Sequence, residues 1–236
     1  MFDRSRSKNV ELLARVFDHC SMKYRSGFRM LTLGWSDGNS FIPVSHSLLS
    51  AAEDKNLICG GKQCDGRSLA GRRRLQSRRK ATDVMVELIH SAQHAGITAK
   101  YVLFDSWFFA PKTILELKKQ EHLDTIAMMK KSKTKYRYQG EKLNVKEIYS
   151  HNKKRRGLSH YLLSVLVEIE KDGESIPAKL VFVRNKSRRK DWLVLVSTDI
   201  SISEEEIIRI YGKRWDIMPI SALCPIGTNT GTRGYI

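Results

Sequence analysis

Asp105 closes the apolar run Tyr101-Val102-Leu103-Phe104, and Ser106-Trp107-Phe108-Phe109 come directly after it. A continuous apolar run of this kind fits a strand buried on both faces of a mixed sheet. A carboxylate at the C-terminal edge of such a strand is where open α/β sheets place their chemistry. The alternative is a helix-capping or turn aspartate just past a core strand. A second chemistry is charge neutralisation. Residues 53–81 carry Arg67, Arg72, Arg73, Arg74, Arg78, Arg79 and Lys80 among glycines, with Asp65 the only acid close by, which reads as a flexible basic loop that binds phosphates. The competing reading is a solvated face. Lys153-Lys154-Arg155-Arg156-Gly157 forms a second basic knot, assigned to phosphate as well. Residues 130–138 mix cations with Tyr136 and Tyr138, suited either to sugar-phosphate and base contacts or to a strand whose tyrosines pack on the sheet. Near the end, Tyr211 and Arg214 lie three apart and share a helix face.

The net charge of +17 over 236 residues points to a polyanionic partner, nucleic acid first and an acidic membrane second. No apolar run approaches the roughly 18 residues of a membrane span, and the opening Met1-Phe2-Asp3-Arg4-Ser5-Arg6 is not a signal peptide, so the chain is expected in the cytoplasm. Cys20, Cys59, Cys64 and Cys224 lack paired ligand spacing, which argues against zinc.

The elements that must hold these side chains can be read from pattern. Val10, Leu13, Ala14, Phe17 and Cys20 recur at helical steps and predict an opening helix. Two apolar runs around Asp37-Gly38 predict a hairpin, with Pro43 marking an edge or a bulge. A helix is expected from Ala81, capped by Thr82 or Asp83 and ended by Gly96. The Asp105 strand, a helix opened by Pro111 and a parallel strand at 124–129 come next. Runs at 161–169, 178–183 and 192–197 predict strands, two of them joined at Lys171-Asp172-Gly173, so 133–198 reads as β-rich. Ser201 or Ser203 caps a final helix carried through residue 217, with Glu204, Glu205 and Glu206 at its positive end.

Leu103-Phe104-Asp105-Ser106-Trp107-Phe108, together with Tyr211-Gly212-Lys213-Arg214-Trp215-Asp216-Ile217, resembles the DDE transposases of bacterial insertion sequences, the group with the Tyr-x-x-Arg-x-x-x-Glu-x6-Lys signature. The resemblance implies an α/β, RNase H-like mixed sheet with flanking helices. Residues 1–132 and 199–217 would form this core, 133–198 a β-rich insertion and 218–236 an irregular tail. It implies three acids holding two Mg²⁺ or Mn²⁺ ions, which activate the attacking hydroxyl and stabilise the leaving oxygen. Asp105 would be the second catalytic acid and a metal ligand, and Tyr211 and Arg214 would contact DNA phosphate. The partner would be double-stranded DNA, at the element ends and the target, with a homodimer on that DNA and no membrane.

Two departures qualify the implications of the resemblance. Met218 stands where the glutamate should be and Pro225 where the lysine should be, and a thioether cannot replace a carboxylate on Mg²⁺. The opening residues resemble the segment just past the first core strand in that family, so that strand and its acid are expected to be missing. Asp3 in the terminus and Asp37 in a turn are the candidate substitutes. The expectation is a transposase by descent that has lost catalysis, cut at the start and shifted in frame near the end. A different class is a non-catalytic DNA-binding protein that occupies element ends or interferes with an intact relative, and a third is an RNA-binding protein. Trp107 or Trp192 could stack on an extruded base, although a tryptophan is more often core.

Overall fold

The computed structural model describes residues 1–4, 6, 9–18, 21–157, 159–185 and 191–214. The expectations placed on Cys20, residues 186–190, Met218, Pro225 and everything else after Arg214 lie outside the described residues. Two compact units divide the chain, the first reaching Ile97 and the second beginning at Thr98.

In the first unit a long strand is the spine. Strands β1 (Phe2–Asp3), β2 (Ala14–Asp18), β3 (Lys23–Ser36) and β4 (Phe41–Leu49) form one sheet in which β1, β2 and β4 all pair with β3, antiparallel. The β3–β4 hairpin turns at Asp37-Gly38 as the sequence predicts. Gly38 takes φ of +96°, and the Asp37 carboxylate accepts the N–H groups of Asn39 (2.8 Å) and Ser40 (2.7 Å). Pro43 pairs with Gly34 where the register shifts, so it marks a bulge. A Cβ on Gly34 would fall 2.0 Å from the Phe41 ring, so any larger residue there forces that ring to move.

The opening helix is overturned. Residues 14–18 are a strand, with Ala14, Val16 and Asp18 buried and Arg15 exposed, a period of two. Leu12 takes a left-handed φ of 58°, which no helix tolerates, and Ala14 pairs with Gly27. The apolar stripe was compatible with both periods, and pairing with β3 decided between them.

Residues 53–81 are not an open loop either. A 3-10 turn covers Asp54–Asn56, and helix α1 (Leu69–Ser77) is capped by Ser68, whose hydroxyl accepts the Gly71 N–H at 3.0 Å. Helix α2 (Ala81–His94) starts after the N-cap Lys80, so Thr82 and Asp83 fall inside its first turn rather than capping it. At its other end Gly96, with φ of +83°, allows Ile97 N–H to reach Ala92 O at 3.0 Å and Gly96 N–H to reach Gln93 O at 2.9 Å. Val84, Met85, Leu88 and Ile89 are buried, and α2 lies against β3 and β4.

The second unit is built on a seven-stranded mixed sheet. Strand β5 (Tyr101–Phe104), helix α3 (Pro111–Lys119) and strand β6 (Asp124–Met128) form a parallel β-α-β unit, with proline opening the helix where its missing N–H costs nothing. Then come β7 (Lys135–Tyr138), β8 (Glu141–Asn144), helix α4 (Val145–His151), β9 (Leu163–Lys171), β10 (Glu174–Arg184), β11 (Trp192–Ser197) and helix α5 (Glu204–Lys213). The sheet order is β5-β6-β11-β10-β9-β7-β8, and every pairing after β5–β6 is antiparallel. The β9–β10 turn uses Asp172 (φ 52°) and Gly173 (φ 82°), the two positive angles a tight hairpin requires. Asn144 caps α4 in a full capping box with Glu147, a helix the sequence reading did not foresee. Ser203 caps α5.

On one sheet face Ile126, Val181 and Leu195 pack with Tyr161 and with Ile207 and Tyr211 of α5. The alternate residues Ala127, Leu180 and Val196 are buried too, and α3 lies against β6, β9 and β10. Each such fully buried aliphatic side chain contributes about 1.5–3 kcal/mol. Tyr136 and Tyr138 are buried, so they pack on the sheet rather than facing a base. Among the described residues no helix is long and apolar enough to cross a membrane.

Candidate functional site

The strand before Asp105 is not buried on both faces: β5 ends the sheet order, and of its residues only Phe104 is buried. Asp105 follows β5, and it also closes a turn. Its carbonyl accepts the Phe108 N–H at 3.0 Å, and its carboxylate accepts the Ser106 N–H at 2.5 Å. Because β5 and β6 run parallel, their C-terminal loops share one edge of the sheet. That edge carries Asp105, Trp107 and Lys130, and the Lys130 ammonium lies 4.9 Å from the centroid of the Trp107 ring.

Helix α5 brings its C-terminal end to the same carboxylate. The Arg214 guanidinium lies 5.0 Å from the Tyr211 ring centroid, and both residues are buried. The Tyr211 hydroxyl is pushed up to about 12, first by burial. The Asp105 charge raises it further and the Arg214 charge draws it back. Tyr211 is thus within electrostatic reach of both Asp105 and Arg214. Neither Tyr211 nor Arg214 is open to solvent, so this arrangement does not present them to a phosphate.

A divalent cation would need a cluster of hard oxygen donors. Among the described residues no group of three His, Cys, Asp or Glu side chains converges to hold one. The Asp105 charge is felt by the Tyr211 phenol, which the Arg214 guanidinium also faces. Asp3 pairs with Arg25 at 3.0 Å, and Asp37 closes the hairpin turn. The described donors therefore do not fit a metal pair.

The two basic stretches turn out differently. In the first unit Arg74 grips Glu11 with two hydrogen bonds of 2.5 and 2.7 Å, Arg78 pairs with Asp54 at 2.5 Å, and Arg79 pairs with Glu87 at 2.6 Å. Arg73 donates to the His46 carbonyl at 2.6 Å, and Arg72 is exposed. Bonding to Arg74, with help from the Lys62 N–H, holds the Glu11 carboxyl down at about 2. The expectation that these arginines have no acid but Asp65 is overturned, because chain distance hid partners up to 63 residues away.

In the second unit the Lys154 ammonium sits 4.5 Å from the Tyr149 ring centroid and the Arg155 guanidinium 4.3 Å from that of Tyr161. The Arg155 N–H donates to the Leu162 carbonyl at 2.7 Å, which fixes the knot beside β9. Lys153, Arg155 and Arg156 are exposed, and among the described residues none of Lys153, Lys154, Arg155 and Arg156 has an ion pair within 4.0 Å. A π-face holds a cation without cancelling its charge.

The sequence reading missed the Trp107–Lys130 contact. The signal was the position of Trp107 two residues past a strand-end acid, and it was outweighed by the general tendency of tryptophan to be core.

Among curated proteins no sequence matches this chain. Residues 1–160 match the sequence profile of a family described as DDE superfamily endonuclease, a stretch that contains Asp105 and the 153–156 knot but stops short of Tyr211 and Arg214. The seven-stranded mixed sheet with flanking helices is the α/β architecture of that RNase H-like class. With more than half of its length in that match, and with an acid at the end of a parallel strand in the sheet, the chain belongs to the DDE superfamily endonucleases.

Proposed function

We propose that this chain is a transposase-type member of that family, that it binds the double-stranded DNA of an insertion element, and that this copy does not cut it. The observation that carries the reading is that among the described residues no group of three His, Cys, Asp or Glu side chains converges to hold a metal, while the charge of the acid that follows β5 bears on the Tyr211 phenol. In that chemistry a Mg²⁺ or Mn²⁺ pair supplies the activated nucleophile and stabilises the leaving oxygen in DNA phosphoryl transfer. The chain's own residues supply charge. Lys153, Lys154, Arg155 and Arg156, of which Arg155 also faces the Glu204 carboxylate, neutralise phosphates and release condensed counterions.

The same knot favours the companion reading, in which the chain occupies element ends as a non-catalytic DNA-binding protein and interferes with an intact relative. Its place is the cytoplasm, with the DNA.

The test is a nicking assay on the flanking element ends with Mg²⁺ or Mn²⁺, run beside Asp105→Ala. The expected outcome is no nicking by either protein, with DNA binding that weakens steeply as salt rises. Nicking that disappears in the variant would mean that further carboxylates complete the site, and the loss-of-cleavage reading would fall.

A further inference from the structure

Trp107 sits in the turn that Asp105 opens. The bond from Phe108 N–H to Asp105 O spans four residues, so Trp107 is the third of them. It is 46% exposed. Lys130, also exposed, comes two residues after β6 and reaches over the indole from the neighbouring loop. The other tryptophan described in this unit stands in contrast. Trp192 is stacked on Tyr149 (centroids 4.4 Å apart, planes 20° apart) and packs against Phe182 at 5.3 Å. Trp192 is part of an aromatic wall, with the Lys131 ammonium 4.0 Å from its ring centroid, so exposure and the place beside Asp105, not the cation, set Trp107 apart. Trp107 puts a large ring into solvent beside the site acid and under a cation.

We infer that Trp107 and Lys130 form a contact for one unpaired nucleotide of a DNA strand that passes Asp105. The indole stacks on the base, and the Lys130 ammonium meets an adjoining phosphate. An aromatic side chain paired with a cation suits this ligand, because a base outside the duplex stack offers a free π-face and its backbone offers the charge. A base held in duplex is covered on both faces and offers the indole nothing. Two residues of backbone span at most about 7 Å, so a base on Trp107 keeps its strand close to the sheet edge that carries Asp105. The inference rests on the DNA-binding reading above and adds to it a preference for an unpaired nucleotide at this edge.

The experiment titrates the whole chain with a short oligothymidylate and, separately, with a blunt duplex. Tryptophan emission reports contact with the indole, and anisotropy of a labelled strand reports affinity. The oligothymidylate is expected to quench the wild-type emission, and Trp107→Phe to lose most of that quench while binding within about threefold of wild type. Trp107→Ala should bind the single strand about tenfold more weakly and leave duplex affinity unchanged. Lys130→Ala should keep the quench and lower the single-strand salt slope by about 0.7. A quench that survives in Trp107→Phe, or a Trp107→Ala loss equal on both DNAs, overturns the inference. If duplex binding is steeply salt-dependent but single-strand binding is indifferent to Trp107, this inference alone falls. If neither DNA binds, the DNA-binding reading falls with it.

Discussion

The two arginine- and lysine-rich stretches look alike in sequence and differ in what holds them. In the first unit Arg74, Arg78 and Arg79 are each matched by a carboxylate, so three of the seven cations in the stretch that seemed the strongest phosphate site are self-neutralised. In the second unit Lys154 and Arg155 lie over tyrosine rings. A salt bridge removes a charge from the field a DNA phosphate feels, whereas a π-face positions the cation and leaves its charge in place. A count of positive residues therefore overstates the first stretch: with three of its seven cations matched, four remain, as many as in the second.

The largest effect expected from this difference is on DNA affinity. Replacing Lys153, Lys154, Arg155 and Arg156 together by alanine should weaken duplex binding about 100-fold at low salt and make the log–log salt slope shallower by about 3 to 4, near 0.9 per phosphate contact. The triple change Arg74→Ala, Arg78→Ala and Arg79→Ala should alter that slope by less than about 1. Filter binding across a salt series checks both, and equal slopes for the two variants would erase the distinction.

A smaller effect should appear in the acid stability of the first unit. The Glu11 carboxyl is lowered from 4.5 to about 2 by Arg74, so the stability it lends is fully present above 4.5 and is lost as pH falls through about 2. Urea midpoints measured between those values should decline less steeply in Glu11→Gln than in wild type. Identical declines would mean that the Arg74 grip does not persist in solution.

The smallest effect concerns the π-faces. Tyr149→Leu removes the ring under Lys154 and should weaken duplex binding only about twofold to fivefold, the range of an exposed cation–π contact. A loss as large as that of the fourfold variant would mean that Tyr149 itself touches DNA.

How much of this could be read in advance varies by element. The Asp37-Gly38 hairpin, the β5-α3-β6 unit, the Asp172-Gly173 turn and the Ser203 cap are short-range features, each set by residues within a few positions of one another. The 14–18 strand was not legible, because five residues of apolar spacing fit either period until β3 supplies a partner. Helix α1 hid among glycines and arginines. Its Ser68 cap is local, but the acids that quiet its arginines are not. For the site, the strand-end acid and the shared face of Tyr211 and Arg214 were visible. Their burial and the approach of Tyr211 to Asp105 were not, since that depends on how α5 lies on β6 and β11.

The sequence alone determined the local pieces and the overall charge: strand-end Asp105, the turn glycines, the caps and a +17 chain suited to a polyanion. The tertiary structure decided which charges survive and which residues meet. Chain separations of 63 residues for Glu11–Arg74 and 24 for Asp54–Arg78 place those encounters beyond any local pattern. The reason is physical. Propensity and capping act within a turn or two of the backbone, whereas Coulombic neutralisation and burial depend on distance in space, which only the completed sheets fix.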